Sequence, residues 1–262
     1  MEEFNFHVIE EPDLKDPILI EGLPGIGNVG KIAAMYLIRE IGAKKFMILH
    51  STLFPPQVIV KDSGQIETMS NEFYYKKADK PSQRDIIFVT GNTQSATSKG
   101  QHVLTQKILD IALDYGVGYI YTLGGLGVGR LVEKPKVFGA VTNESNIPDL
   151  EEMGVVLKRV GVGQIVGVSG LLLGLGKLKG VDGVCLMGET SGYYLDPNSA
   201  KVVLEVLVKI LDLDIDMEGL DKKAIDTEKM LAEAQEMEKR MLQEMGMIQK
   251  KEPTGDTMRY IG

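Results

Sequence analysis

Cysteine occurs once in the 262 residues, as Cys185, so the chain cannot form an internal disulfide. It sits in DGVCLMGE, which reads as a buried strand, and core packing is its expected role. Histidine is almost as scarce. His7, His50 and His102 lie far apart, and none has a second histidine or a cysteine at ligand-like spacing, so no metal site is expected. Lysine and arginine form no cluster, and a net charge of -8 with a pI near 5.1 argues against a nucleic-acid surface. Long apolar runs are missing as well. The longest uncharged stretch, Val160 to Gly176, contains six glycines and is too short for a membrane span. The acidic start, MEEFNFHVIEEPD, has no hydrophobic signal core. These absences predict a cytoplasmic protein that needs no cofactor and binds neither nucleic acid nor membrane.

What is present is a globular composition, 44% hydrophobic and 25% charged, long enough for one α/β core, alone or with an appendage. Apolar runs bounded by glycine or proline recur as ILIEG, KFMILH, QVIV, DIIFVTG, GYIYTLGG, KVFGAVTN and GVCLMGE. Several are continuous rather than alternating, the pattern of strands covered on both faces. Helical spacing marks Asn28 to Ala43, Ser98 to Gly116 and Pro197 to Asp214, the last with an Asn or Ser cap. Strands alternating with helices predict a three-layer α/β fold with a largely parallel sheet. GQIETMSNEFYYKK alternates better and reads as an antiparallel hairpin at one edge.

The stretch EGLPGIGNVGK, Glu21 to Lys31, places Gly25, Gly27 and Gly30 in the spacing G-x-G-x-x-G and also reads as G-x-x-x-x-G-K. Strand, glycine turn and helix follow in the order a phosphate site requires. The supporting residues are absent. Ile32 follows Lys31 where a phosphate loop needs Ser or Thr for magnesium, and the next strand ends in His50, Ser51 and Thr52 without an acid for a ribose hydroxyl. Pro24 inside the turn departs further. The favoured reading is a tight turn that seats the helix close on the sheet.

Other candidates are incomplete too. GVSGL resembles a nucleophile elbow, but Leu171 occupies the last glycine position, leaving Ser169 as a small residue in a strand-to-helix turn. GNTQSATSKG could bind a phosphate or a sugar, or Ser95, Thr97 or Ser98 could cap the helix that follows. GGLGVGR offers Arg130 as an anion ligand. No full set of nucleophile, base and oxyanion donor is present.

After Asp216 the character changes. From Asp221 to Met245 there is neither Gly nor Pro, which predicts a long helix. Met230, Leu231, Ala234, Met237, Met241, Leu242 and Met245 form its apolar stripe, while Glu236 and Arg240 pair on another face. The stripe serves either packing on its own domain or an adaptable oligomer or partner interface. Pro253 to Asp256 then predict a flexible tail whose tip carries Tyr260 and Ile261. The expected organisation is an α/β domain over 1–218, a Met-rich helix over 219–248 and a tail over 249–262.

Taken in order, EGLPGIGNVG, YTLGGLGVGR, VFGAVTN, VGQIVGVSGLLLGLG and MGETSGYYLDPNSAKVVLEVLVKIL resemble the PAC2 family of proteasome assembly chaperones, in its archaeal branch. The resemblance runs from Ile18 to about Leu213. It implies a fold similar to nucleoside phosphorylases, no known enzymatic activity, a homo-oligomer, and proteasome α-subunits as partner. Relatives often dock by a C-terminal hydrophobic-Tyr-X motif. Here Tyr260 stands third from the end, one residue off that register, with Met258, Arg259, Ile261 and Gly262 completing the candidate segment. Two other functions compete with this chaperone or adaptor role. One is an enzyme or sensor for a nucleoside or phosphorylated metabolite in a cleft near Gly25, Asn92 and Arg130. The other is a purely structural oligomer.

Overall fold

The computed structural model describes residues 2–157 and 163–222. Ten strands and five α-helices alternate along them: β1 (Phe4–Val8), β2 (Ile18–Gly22), α1 (Val29–Glu40), β3 (Lys44–Ser51), β4 (Val58–Val60), β5 (Ile66–Thr68), β6 (Asn71–Lys76), β7 (Ile86–Gly91), α2 (Ser98–Asp114), β8 (Tyr119–Gly127), β9 (Val137–Val141), α3 (Ile147–Glu152), α4 (Val168–Leu178), β10 (Asp182–Thr190) and α5 (Pro197–Ile210). Eight strands form one sheet in the order β1-β3-β6-β7-β2-β8-β10-β9, and β4 pairs with β5 in a separate ribbon.

The sheet is mixed. Only the neighbouring pairs β7–β2, β2–β8 and β8–β10 are parallel, while β1, β3 and β6 on one side and β9 on the other pair antiparallel. The largely parallel sheet expected from the sequence is therefore confined to the centre. Chain length explains part of this. The link from β6 to β7 spans only residues 77–85, shorter than the dozen or so residues a parallel crossover needs. The expected edge hairpin is also corrected: β5 pairs with β4, and β6 lies inside the sheet between β3 and β7.

Alternating side chains on the central strands feed two cores. Ile18 and Ile20 of β2 face one side with residues of α1 and α5, and Leu19 faces the other with residues of α2 and α4. Both faces are thus covered, which is why β2 and β7 are buried along their whole length and read as continuous apolar runs. On the second side Phe46 meets Phe73, Tyr75 and Tyr115 edge-on at 5.3–6.1 Å, contacts worth about 0.5–1.5 kcal/mol each beyond the area they bury. Cys185 is fully buried there.

The caps follow their chemistry. Thr97, one of three hydroxyl residues expected to serve, accepts from Gly100 N and starts α2. At α5 the cap is Asp196, which accepts from Ser199 N, rather than the Asn or Ser anticipated. Ser169 lies in the first turn of α4, but Gly167 before it, at φ +87°, follows an irregular segment and not a strand. No described helix is long and apolar enough to cross a membrane.

Candidate functional site

The carboxyl ends of β2, β7, β8 and β10 bring the glycine turn, the 92–97 loop, the segment from Gly127 to Arg130 and the 191–196 loop to one end of the sheet. Open α/β sheets usually hold ligands here. In this chain the start of α1 packs backbone against backbone on the strands there. A Cβ on Gly30 would stand 2.1 Å from the Leu123 carbonyl oxygen, and one on Gly22 would stand 2.5 Å from the Gly30 oxygen. These distances are far inside van der Waals contact, so only glycine lets α1 lie this close to β2 and β8. Gly27, at φ +61°, makes the turn itself, with Thr190 Oγ1 2.9 Å from where its Cβ would be. The close seating anticipated from the sequence is what the glycines provide.

Hydrogen bonds lock the same turn. Asp196 N donates to Gly27 O at 3.0 Å, and the Thr190 hydroxyl donates to Asp196 Oδ2 at 2.6 Å. One aspartate thereby ties the glycine turn, the end of β10 and the start of α5. The residues named for a metabolite cleft are otherwise engaged. Asn92 accepts from Ser70 N at 2.8 Å and holds the stretch before β6, while Arg130 pairs with Glu189 at 3.2 Å. Gly25 has open space around its Cα, but its turn turns its carbonyl inward to Asn28 N at 3.0 Å.

Beneath the turn lies a polar group that the sequence reading passed over. Glu21, in the fully buried ILIEG strand, shares its face with Leu19 and points to the α2 and α4 side. Its Oε1 accepts from Leu23 N at 2.9 Å, and the Ser169 hydroxyl lies beside the carboxyl group. Its Oε2 has no hydrogen-bond partner of good geometry, nor does the equally buried hydroxyl of Thr122, its register partner on β8. Burial disfavours the charged form and pushes the Glu21 carboxyl up to about 7, outweighing the Leu23 and Ser169 hydrogen bonds that pull it down. Above it Gln94 clasps two loops, donating to Pro24 O at 2.7 Å and accepting from Val168 N at 3.1 Å. An acid inside an otherwise apolar strand was the signal available in the sequence.

The rim of this end is apolar and open. Ile26, 51% exposed, lies over Gly127 and Gly192, and Tyr193, 80% exposed, reaches Gly129. Leu131 and Leu195 are exposed beside them in sequence. Among the described residues no group of three or more His, Cys, Asp or Glu gathers as a metal site, and His50 is held by Met69 O at 3.1 Å. The candidate tail residues Met258, Arg259, Tyr260, Ile261 and Gly262, and the helix residues Met230, Leu231, Met237, Met241, Leu242 and Met245, lie outside the described residues. What is described is the departure point. Residues 218–222 are helical, Leu220 is buried in the core of α1 and α5, and Lys201 pairs with Asp221.

The fold recurs in known proteins. The chain is 43% identical to PbaB of Pyrococcus furiosus, described as an archaeal proteasome activator, whose crystal structure superposes with a TM-score of 0.85 over 90% of this chain and 100% of that one. PbaA of the same organism, described as an archaeal homolog of proteasome-assembly chaperone, matches with a TM-score of 0.74 at 28% identity over 94% and 97% of the two chains. An uncharacterized protein of Methanocaldococcus jannaschii is 45% identical over 95% of this chain and 93% of its own. The pattern of the PAC2 family matches residues 19–241, and with these similarities the chain belongs to the PAC2 family.

Proposed function

We propose that this protein is a non-enzymatic proteasome assembly chaperone or adaptor, a cytoplasmic homo-oligomer that binds proteasome α-subunits through its C-terminal tail. The observation that carries this reading is the structure shared with PbaB across nine-tenths of the chain. The carboxyl end of the sheet supports it. Backbone contacts at Gly22 and Gly30 give these glycines a packing role between α1 and the sheet, and the one carboxyl group there with a strongly perturbed pKa is sealed under α4. The exposed rim of Ile26, Leu131, Tyr193 and Leu195 suits protein contact better than catalysis. In this reading Tyr260 is the aromatic anchor, Ile261 an apolar contact, and the carboxylate of Gly262 seeks a lysine. The Met230 to Met245 stripe is buried between subunits.

Capture by isolated α-subunits tests this, comparing the intact protein with Tyr260→Ala and with a chain ending before Met258. An aromatic anchor in a desolvated pocket contributes at least ~2 kcal/mol, roughly thirtyfold in affinity for one tail. Several tethered tails multiply that loss. Sharply reduced capture, at an unchanged mass by light scattering, is the expected result. Equal capture by all three proteins overturns the docking.

A further inference from the structure

We propose that Glu21 is a proton-operated latch: neutral, it closes the carboxyl ends of β2 and β8 beneath α4, and ionised, it loosens the glycine turn and the start of α4. Glu21 Oε2 and Thr122 Oγ1 are both buried without partners, and their residues are register neighbours in the parallel pair of β2 and β8. Parallel neighbours project to the same face, here the one covered by α4. A protonated carboxyl asks for a single acceptor rather than several donors, and the Ser169 hydroxyl of α4 lies beside it. One proton therefore removes the charge and leaves a single bond to make, toward α4.

The ionised group is in a different position. A carboxylate has about four acceptor sites, and this one is served by the Leu23 N-H and the Ser169 hydroxyl, with Oε2 left unpartnered. No charged group compensates. α2 carries Lys99, His102, Lys107, Asp110 and Asp114, and α4 carries Lys177; Lys99, His102, Asp114 and Lys177 are exposed, while half-buried Lys107 lies over Phe4 and Phe6 and half-buried Asp110 accepts from Gln106. β7 and the 92–97 loop contribute no titratable side chain. Glu189 of β10 is four residues beyond Cys185, the register partner of Thr122, and is paired with Arg130. Solvating the charge requires water from the end of the sheet, past Gln94. That side chain holds Pro24 of the glycine turn to Val168 of α4, so admitting water works against the two hydrogen bonds that join these segments. Ile26 and Val166, 51% and 86% exposed, ride on the segments that would loosen. The latch is thus placed to set how the apolar rim is presented.

Amide hydrogen exchange of the full chain at pH 6 and pH 8.5, corrected for the intrinsic pH dependence of exchange, tests this. Peptides covering residues 23–30 and 165–172 should lose protection about tenfold at the higher pH, while peptides from α5 should not. Glu21→Gln should remove the difference. The same loss in Glu21→Gln overturns the latch, as does unchanged protection in the unmodified protein. If Glu21→Gln fails to fold, the carboxyl carbon of Glu21 followed by NMR in the unmodified protein decides instead. A midpoint within 1 pH unit of neutrality supports the latch, and any midpoint outside that interval overturns it.

Discussion

At the amino end of the central strands Asp85 is buried and complete, accepting Lys15 N at 2.7 Å and Ala78 N at 2.8 Å through its two oxygens. At the carboxyl end Glu21 is buried and incomplete, with one backbone donor and one orphaned oxygen. The first carboxylate joins two loops by accepting from both; the second is tolerated because it can be neutral. The ends differ in their backbone as well. Ion pairs and side-chain bonds such as Arg84 to Asp16, at 2.6 Å, hold the amino end, whereas glycine-mediated backbone contact holds the other. Burial of an acid therefore says little about its role until its donors are counted.

The comparison can be broken most severely at Gly30. Gly30→Ala places a methyl against the Leu123 carbonyl, which neither the helix nor the strand can yield cheaply. The expected loss is at or beyond the ~3 kcal/mol upper end of common overpacking costs, read as a much lower midpoint in urea or as failure to fold. Glu21→Gln sharpens the comparison through pH. The folded value of about 7 stands above the ordinary 4.5, so the folded state holds its proton longer as pH rises. The stability of the neutral form is complete below about pH 4.5, falls as pH rises through 7, and is level beyond. This gap corresponds to about 3 kcal/mol, and the variant should gain on the parent by up to that amount between pH 4.5 and 8.5 in denaturant titrations. Asp85→Asn should be weaker and opposite in sign. An amide can accept from one of the two backbone donors but not both, leaving one unpaired at about 1–3 kcal/mol, seen as a lower unfolding midpoint. Arg84→Ala should cost least, about 1 kcal/mol or less, because its partner Asp16 is largely exposed and solvent screens the pair. A larger fall in melting temperature than that of Asp85→Asn would reverse the order proposed for the amino end.

Much of this was legible in the chain. Continuous apolar runs located β2, β3, β7, β8 and β10, because strands covered on both faces cannot alternate. The failed ligand positions of the glycine motif pointed to packing before the distance from Gly30 to Leu123 was visible. Other features were not legible. β1 alternates Phe4, Phe6 and Val8 with Asn5 and His7, yet four of its five residues are exposed, so its strand signal is not tied to a core and its place is set by the edge that β3 offers. The direction of β6 depends on which neighbours it finds across the sheet, and GQIETMSNEFYYKK alone could not separate β5 from β6. Asp196 was overlooked beside Pro197, although a carboxylate before a helix is an ordinary cap.

By itself the sequence determined the α/β class, the order of helices and strands in the core, the need for glycine in the turn after β2 and membership of a recognisable family. These follow from local spacing and from residue types that few backbone conformations accept. The tertiary structure alone decided that the sheet is parallel only at its centre, that Gly30 meets Leu123, and that Glu21 stands beside Thr122 with no charge to answer it. Those facts depend on which distant segments become neighbours. The 100 residues between Glu21 and Thr122 are closed only when β8 docks against β2, and only then does the energy of either side chain take its value.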